Sequence, residues 1–220
     1  MTVRYTDARN PWPTLGAFHW GWLGVLLLAC GLASIHPLDP PAYVMHQIGT
    51  VVGAIILMWL TQMGKVSKMG FALTIGFMLI HVLGAHYLYS FVPYNEWSKH
   101  YWGWDMDSHF GWNRNMYDRL VHFSYGLLLY RIMMDVFSTW FTAAPRGRVS
   151  LLVIQFVMAS SVFYEFIEWW IAIGMSPEAA ESYNGQQGDM WDAHKDMALA
   201  TFGAMIAWVL ERLIYTVKRG

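Results

Sequence analysis

Gly188-Asp189-Met190-Trp191-Asp192-Ala193-His194-Lys195-Asp196 opens the last apolar run of the chain, which continues to about Val217. A helix of that length crosses the hydrocarbon core of a bilayer, so three aspartates stand at the mouth of a membrane helix. Read as helix from Asp189 onward, positions 189, 192 and 196 fall within roughly 60° of one another. Three anions on one face need a cation, shared protons or access to water. A solvated helix start, where Asp complements the dipole, is the simpler reading of this stretch by itself. What the rest of the chain brings to the same depth argues for more.

The composition is that of a membrane protein. Of 220 residues, 56% are hydrophobic and only 13% charged, and the mean hydropathy is +0.31, too apolar for a soluble domain of this length. Net charge −1, with Lys and Arg in small groups at segment ends, leaves no basic stripe and excludes a nucleic-acid partner. The single Cys30 lies in an apolar run, so no intramolecular disulfide forms.

Six uncharged or charge-poor runs read as transmembrane helices, at about 16–35, 43–63, 70–92, 117–141, 149–174 and 189–217. Leu27-Leu28-Ala29-Cys30 loosely matches a lipoprotein cleavage box, but further spans follow, and the first run reads as a span. The expected fold is all-α: a polytopic helical bundle forming a single membrane domain over residues 1–220. Trp97 to Asp107, rich in aromatics, reads as an interfacial belt. Nine Lys and Arg (Arg4, Arg9, Lys65, Lys68, Arg146, Arg148, Arg212, Lys218, Arg219) fall at one set of segment ends, against Lys99, Arg114, Arg119 and Lys195 at the other. The positive-inside rule then predicts both termini in the cytoplasm. Arg131 is left over, and Asp135 at i+4 is its expected structural partner.

With that topology, counting about 1.5 Å per residue brings ionisable groups from four helices to one layer in the outer half of the membrane. Asp118 and His122 start the fourth helix on one face; Glu165 and Glu168 lie roughly 9–14 Å from the outer end of the fifth; the aspartates start the sixth. His86 and His81 lie about 9 and 17 Å from the outer end of the third, on different faces. Such groups inside a membrane are functional candidates by default. The set His86, Asp118, His122, Glu165, Glu168, Asp189, Asp192 and Asp196 suits a divalent metal ion (Zn, Mn, Mg, Ca or Fe), with a hydrated polar cluster as the alternative. Arg119, Lys195 and His81 are candidate substrate contacts, charge compensation being the other role open to the two cations. His194 projects away from this face.

Asn115-x-x-Asp118-Arg119-x-x-His122-Phe-x-x-Gly126, Glu165-x-x-Glu168-Trp169, Gly188-Asp189-x-x-Asp192-x-x-x-Asp196 and His81-x-x-Gly84-Ala85-His86-Tyr87-x-Tyr89 together resemble the YjdF-like bacterial inner-membrane proteins over roughly residues 45–215. That resemblance implies a six-helix inner-membrane protein and carries no activity with it. The Asp-Arg-x-x-His element and the later acidic motifs are also similar to VanZ-type membrane proteins, which implies lipid or envelope substrates. The leading expectation is a metal-dependent enzyme that hydrolyses or transfers a head group on a lipid or lipid-linked envelope substrate, with His122 or Glu165 taking the proton. An ion- or proton-coupled transporter using the same acidic site, and a scaffold braced by it, are the alternatives.

Overall fold

The computed structural model describes residues 15–217; Arg4, Arg9, Lys218 and Arg219 of the charge distribution lie outside them. Among the described residues the chain is entirely helical, with α1 (Ala17–Ala33), α2 (Pro40–Gln62), α3 (Lys68–His86), α4 (Tyr94–Trp102), α5 (Met106–Phe110), α6 (Tyr117–Trp140), α7 (Arg146–Ile173), α8 (Pro177–Asn184) and α9 (Asp192–Val217). Five of these, α2, α3, α6, α7 and α9, are long and apolar enough to cross a membrane, and α1 is a shorter apolar helix. Large side chains such as Leu27, Trp59, Ile173 and Leu213 are more than half exposed, as befits a surface that faces lipid.

Capping chemistry sets the helix starts. Asp39 accepts the Ala42 N–H at 3.0 Å with Pro40 and Pro41 in the first turn, so α2 begins three residues before the expected 43. Ser67 caps α3 through the Gly70 N–H, and Asp135 of α6 in turn accepts both the backbone N–H and the hydroxyl of Ser67. Asp135 also pairs with Arg131 at 3.0 Å, the partnership expected from their spacing. The third span ends at His86, not near 92. Leu88 and Tyr89 have φ of 51° and 54°, a left-handed turn that stops the helix inside a stretch whose hydropathy would let it continue.

α6 is the centre of the bundle, packed on α9, α3 and α7, while α1 and α2 lean on α3. The α6–α9 approach is close because small residues line it. A methyl group added at Gly126 would overlap the Ala200 carbonyl oxygen, and one at Gly203 the Phe123 carbonyl oxygen. The two larger apolar cores are one of Leu23, Leu57, Phe71 and Ile75 between α1, α2 and α3, and one of Tyr130, Met134, Val153 and Ala204 between α6, α7 and α9. α2 and α7 pack on different partners and have no substantial contact with each other. Between them a groove is left, floored by α3 and α6.

Candidate functional site

One end of the bundle collects the start of α6, the end of α7, the start of α9 and the helices α4, α5 and α8. Gln187 and Gly188 have φ of 52° and 77°, so the chain turns sharply before α9. Asp189 therefore sits in that turn, where its Oδ1 accepts the Trp191 N–H at 3.1 Å, and the helix itself starts at Asp192. Asn115 and Gln187 tie this turn to the start of α6 by reciprocal bonds. The Asn115 N–H donates to Gln187 Oε1 at 2.8 Å, and Gln187 Nε2 donates back to the Asn115 carbonyl at 3.1 Å.

The three aspartates converge on arginine. Arg119, buried in α6, donates from Nη1 to Asp196 Oδ1 at 2.8 Å and from Nη2 to Asp189 Oδ2 at 3.0 Å and Asp192 Oδ1 at 2.5 Å. Arg114 reaches the same Asp192 oxygen at 2.6 Å and also donates to the carbonyls of Gly185 and Gln186. Lys195 closes the cage by donating to Asp189 at 2.6 Å. That ammonium, helped by the Trp191 N–H, holds Asp189 below the usual carboxylate range. Gly185 makes the cage possible: its φ is +70°, and a Cβ there would lie 3.2 Å from Ser90 Oγ, beside Asp118.

Behind the cage, Asp118, His122 and Asp196 each offer one ligand atom, all within 4.8 Å of one another. His122 Nε2 lies 3.7 Å from Asp118 Oδ1. Asp118 is 7% exposed, and its Oδ2 has no hydrogen-bond partner among the described residues. Glu165 and Glu168, one turn apart on α7, stand within electrostatic reach of Asp118 and Asp196, and Glu165 Oε1 is likewise buried and unpartnered. Around this cluster the carboxylates of Asp118, Glu165, Glu168, Asp189, Asp192 and Asp196 outnumber the cations Arg114, Arg119 and Lys195 two to one. Two carboxylates and an imidazole at this spacing are a set that could hold a divalent ion such as Zn, Mn or Fe, with Asp118 and His122 lining the adjoining cavity.

Asp118, His122 and Glu168 form one end of a cavity of about 680 Å³ that occupies the groove between α2 and α7. From there the lining becomes apolar, through Leu57, Met133 and Val136 to Trp59, Phe137 and Trp140 at the far end. Opposite the carboxylates, His46 stacks on Tyr183 with ring centroids 4.5 Å apart. His81 bridges this wall to the α3 turn. The His46 carbonyl can only accept, so His81 Nε2 donates to it at 3.1 Å, and in the neutral ring Nδ1 accepts from the Tyr89 hydroxyl at 2.6 Å. Burial pushes the Tyr183 phenol up to about 12, which keeps the ring stacked on His46 uncharged.

A family model described as "Predicted membrane protein (DUF2238)" matches residues 18–216. The chain belongs to this family. It is 34% identical over 127 residues to the inner membrane protein YjdF of Escherichia coli (strain K12), a match that covers 58% of this chain and 56% of that relative. The chain thus spans little more than half the length of that curated relative. No solved structure matches it. The span lengths and this relative make it a multi-pass protein of the bacterial inner membrane, in line with the YjdF-like resemblance.

In this DUF2238 protein the residues singled out from sequence separate into three groups. Asp118, His122, Glu165, Glu168 and Asp196 gather at the head of the groove. Asp189 and Asp192 lie beside them, engaged by Arg114, Arg119 and Lys195; of these cations Arg119 and Lys195 were candidate substrate contacts, and neither lines the cavity. His86 is turned away: it closes α3 and donates through Nδ1 to the Ala33 carbonyl at 2.8 Å, against α1. His81, the third candidate contact, does line the cavity. Asp105 and Asp107 serve the α4–α5 turn, with Lys99 2.9 Å from Asp105 and the Tyr94 hydroxyl donating to Asp107 at 3.0 Å. Sequence reasoning missed Arg114 as part of the cage, and it missed His46. The signal for His46 was present: an imidazole inside an otherwise uncharged span is a site candidate by its position.

Proposed function

We propose that the protein is a membrane enzyme that binds one divalent cation at Asp118, His122 and Asp196 and acts on the head-group end of a lipid or lipid-linked molecule lying in the groove. The observation that carries this reading is the junction of two unlike surfaces: an acidic, imidazole-bearing cluster opens directly onto a long apolar cavity between two helices that do not pack together. A molecule entering sideways from the bilayer would bring its polar end to the cluster and leave its chain among Leu57, Met133 and Phe137. A bound cation there would polarise an ester or phosphoryl oxygen or acidify a water. Glu168, which lines the same cavity and is not one of the three ligands, is in position to take and return the proton. Glu165, set behind them with an unpartnered oxygen, completes the acidic surroundings.

Two features favour an enzyme over a transporter. The half of the cavity away from the cluster is lined by Ile56, Trp59, Leu129, Val136 and Trp140, so among the described residues no ionisable chain continues along this cavity. Arg119 and Arg114 fix the aspartate end by bonds to two different segments, which suits a rigid site better than a moving gate. With both termini cytoplasmic, as the distribution of Lys and Arg supports, the cluster faces the outer leaflet. The test is turnover. Purified protein in vesicles of total bacterial lipid, supplied with Zn²⁺ or Mn²⁺, should release a head-group product detected by mass spectrometry. The product should disappear with EDTA and in Asp118→Asn; equal product from Asp118→Asn would refute the assignment.

A further inference from the structure

The polar end of the groove carries an observation that the cation does not explain. Five polar atoms on cavity-lining residues are buried with no hydrogen-bond partner among the described residues: His46 Nε2, Thr50 Oγ1, Asp118 Oδ2, Ser161 Oγ and Asn184 Oδ1. Buried polar atoms are normally satisfied, because leaving one unpaired costs free energy. His46, Thr50 and Ser161 are 5%, 4% and 4% exposed, so they are nearly closed off from the surroundings. His46 and Thr50 are one turn apart on α2, and stacking on Tyr183 fixes the His46 ring. A concentration of unmet hydrogen-bonding capacity in rigid positions at the polar end of an apolar groove is the form of a head-group recognition site.

The charge of that head group follows from the lining. Among the described residues no Lys or Arg lines the cavity, and Arg114 and Arg119 are spent on the aspartates of α9 and the turn before it. In the cation-free site, an anionic group here would meet Asp118 and Glu168 without a side-chain cation to answer it. An ammonium group only donates hydrogen bonds, whereas the Thr50 and Ser161 hydroxyls bring protons that need acceptors. Alcohol groups donate and accept, and match hydroxyl, imidazole, amide and carboxylate partners together. We propose that His46, Thr50, Ser161 and Asn184 recognise the uncharged, hydroxyl-bearing head group of a neutral lipid whose aliphatic chain lies in the groove between α2 and α7. This deepens the reading of the groove as an amphiphile site, on which it rests, and does not depend on the cation.

The experiment uses three ligands with the same oleoyl chain and different heads: monooleoylglycerol, oleoyl lysophosphatidate and oleylamine. The full chain in nanodiscs, kept in EDTA, is titrated with each, and retained ligand is counted by native mass spectrometry. Monooleoylglycerol should bind at least tenfold more tightly than the other two. Thr50→Val, which keeps the shape, and His46→Phe, which keeps the stacking on Tyr183, should each weaken it about five- to tenfold, as loss of one hydrogen bond implies. Thermal unfolding of both variants checks that the fold is retained. Tighter binding of the lysophosphatidate or the amine overturns the inference, as does monooleoylglycerol binding that neither substitution changes. Retention of none of the three ligands overturns the amphiphile reading itself. Selective retention of monooleoylglycerol by a protein that then takes up no Zn²⁺ or Mn²⁺ leaves the inference standing and removes the cation.

Discussion

Arg119→Met replaces a buried guanidinium with an uncharged chain of similar length and strips the cage of its central cation. The wild-type side chain is 7% exposed and bonds to all three aspartates. Arg114 still covers Asp192 in the variant, at 2.6 Å, but the Asp196 carboxylate, 2% exposed, loses its arginine. Removing one partner of a buried ion pair destabilises by about 3–5 kcal/mol because the other charge is left uncompensated. For a chain of this size each kcal/mol moves the midpoint by about 2–4 °C, so Tm should fall by about 6–20 °C. Unfolding in detergent can be followed with a thiol dye, since Cys30 is the single cysteine and is partly buried in α1. Asp196→Asn in the Arg119→Met background should recover part of the loss, because it deletes the stranded charge; groups in one network couple by about 0.5–3 kcal/mol. A variant within about 2 °C of wild type, or strictly additive losses in the double variant, would refute the cage as the element that holds α6 to α9.

Lys195→Met tests the exposed side of the same cage. Asp189 has a lowered folded pKa, so its stabilisation is present above the unfolded aspartate value of about 3.9 and is lost as pH falls through the folded value; the Tm difference between wild type and variant should be present at pH 7 and close on acidification through that window. Gly126→Ala should lower Tm or the yield of folded protein, in the range of about 1–3 kcal/mol for overpacking, because the methyl overlaps the Ala200 carbonyl, whereas Gly24→Ala, inside α1 with open space around it, should leave Tm unchanged or raise it slightly. Reporter fusions after Lys68 and after Gly185 should report opposite compartments, cytoplasmic and periplasmic respectively; the same compartment for both would overturn the six-span topology.

Much of this architecture was legible because an apolar run of about twenty residues has few alternatives to a membrane helix. Alternation of such helices then puts the start of α6, the end of α7 and the start of α9 at one end, which is why Asp118, Glu165 and Asp196 could be brought together by counting residues. Pairing was not legible. Asp192 faces two arginines, Arg119 of α6 and also Arg114, which stands outside any helix and is aimed by its bonds to the Gly185 and Gln186 carbonyls. Periodicity says nothing about such a residue. Helix ends failed for a related reason: Tyr87, Leu88 and Tyr89 are uncharged and continue the run of α3, yet the left-handed turn at 88–89 ends the helix and leaves His86 facing α1. Asp189 was assigned to the helix face and belongs to the turn before it, though its carboxylate still reaches Arg119 at 3.0 Å. The groove itself has no sequence signature, since it arises from the absence of packing between α2 and α7.

The cation is tested most directly by counting it. Wild type, Asp118→Asn, Asp196→Asn and Asp192→Asn, each purified in detergent, equilibrated with Zn²⁺ or Mn²⁺ and desalted, are analysed by plasma mass spectrometry. Asp118 and Asp196 belong to the carboxylate–imidazole cluster, whereas the Asp192 Oδ1 oxygen is shared by Arg114 and Arg119. The expected result is one ion per chain for wild type and for Asp192→Asn, and loss of the ion in Asp118→Asn and Asp196→Asn with helical content unchanged. A wild type that retains no ion, or an Asp118→Asn protein that retains it in full, would contradict the account.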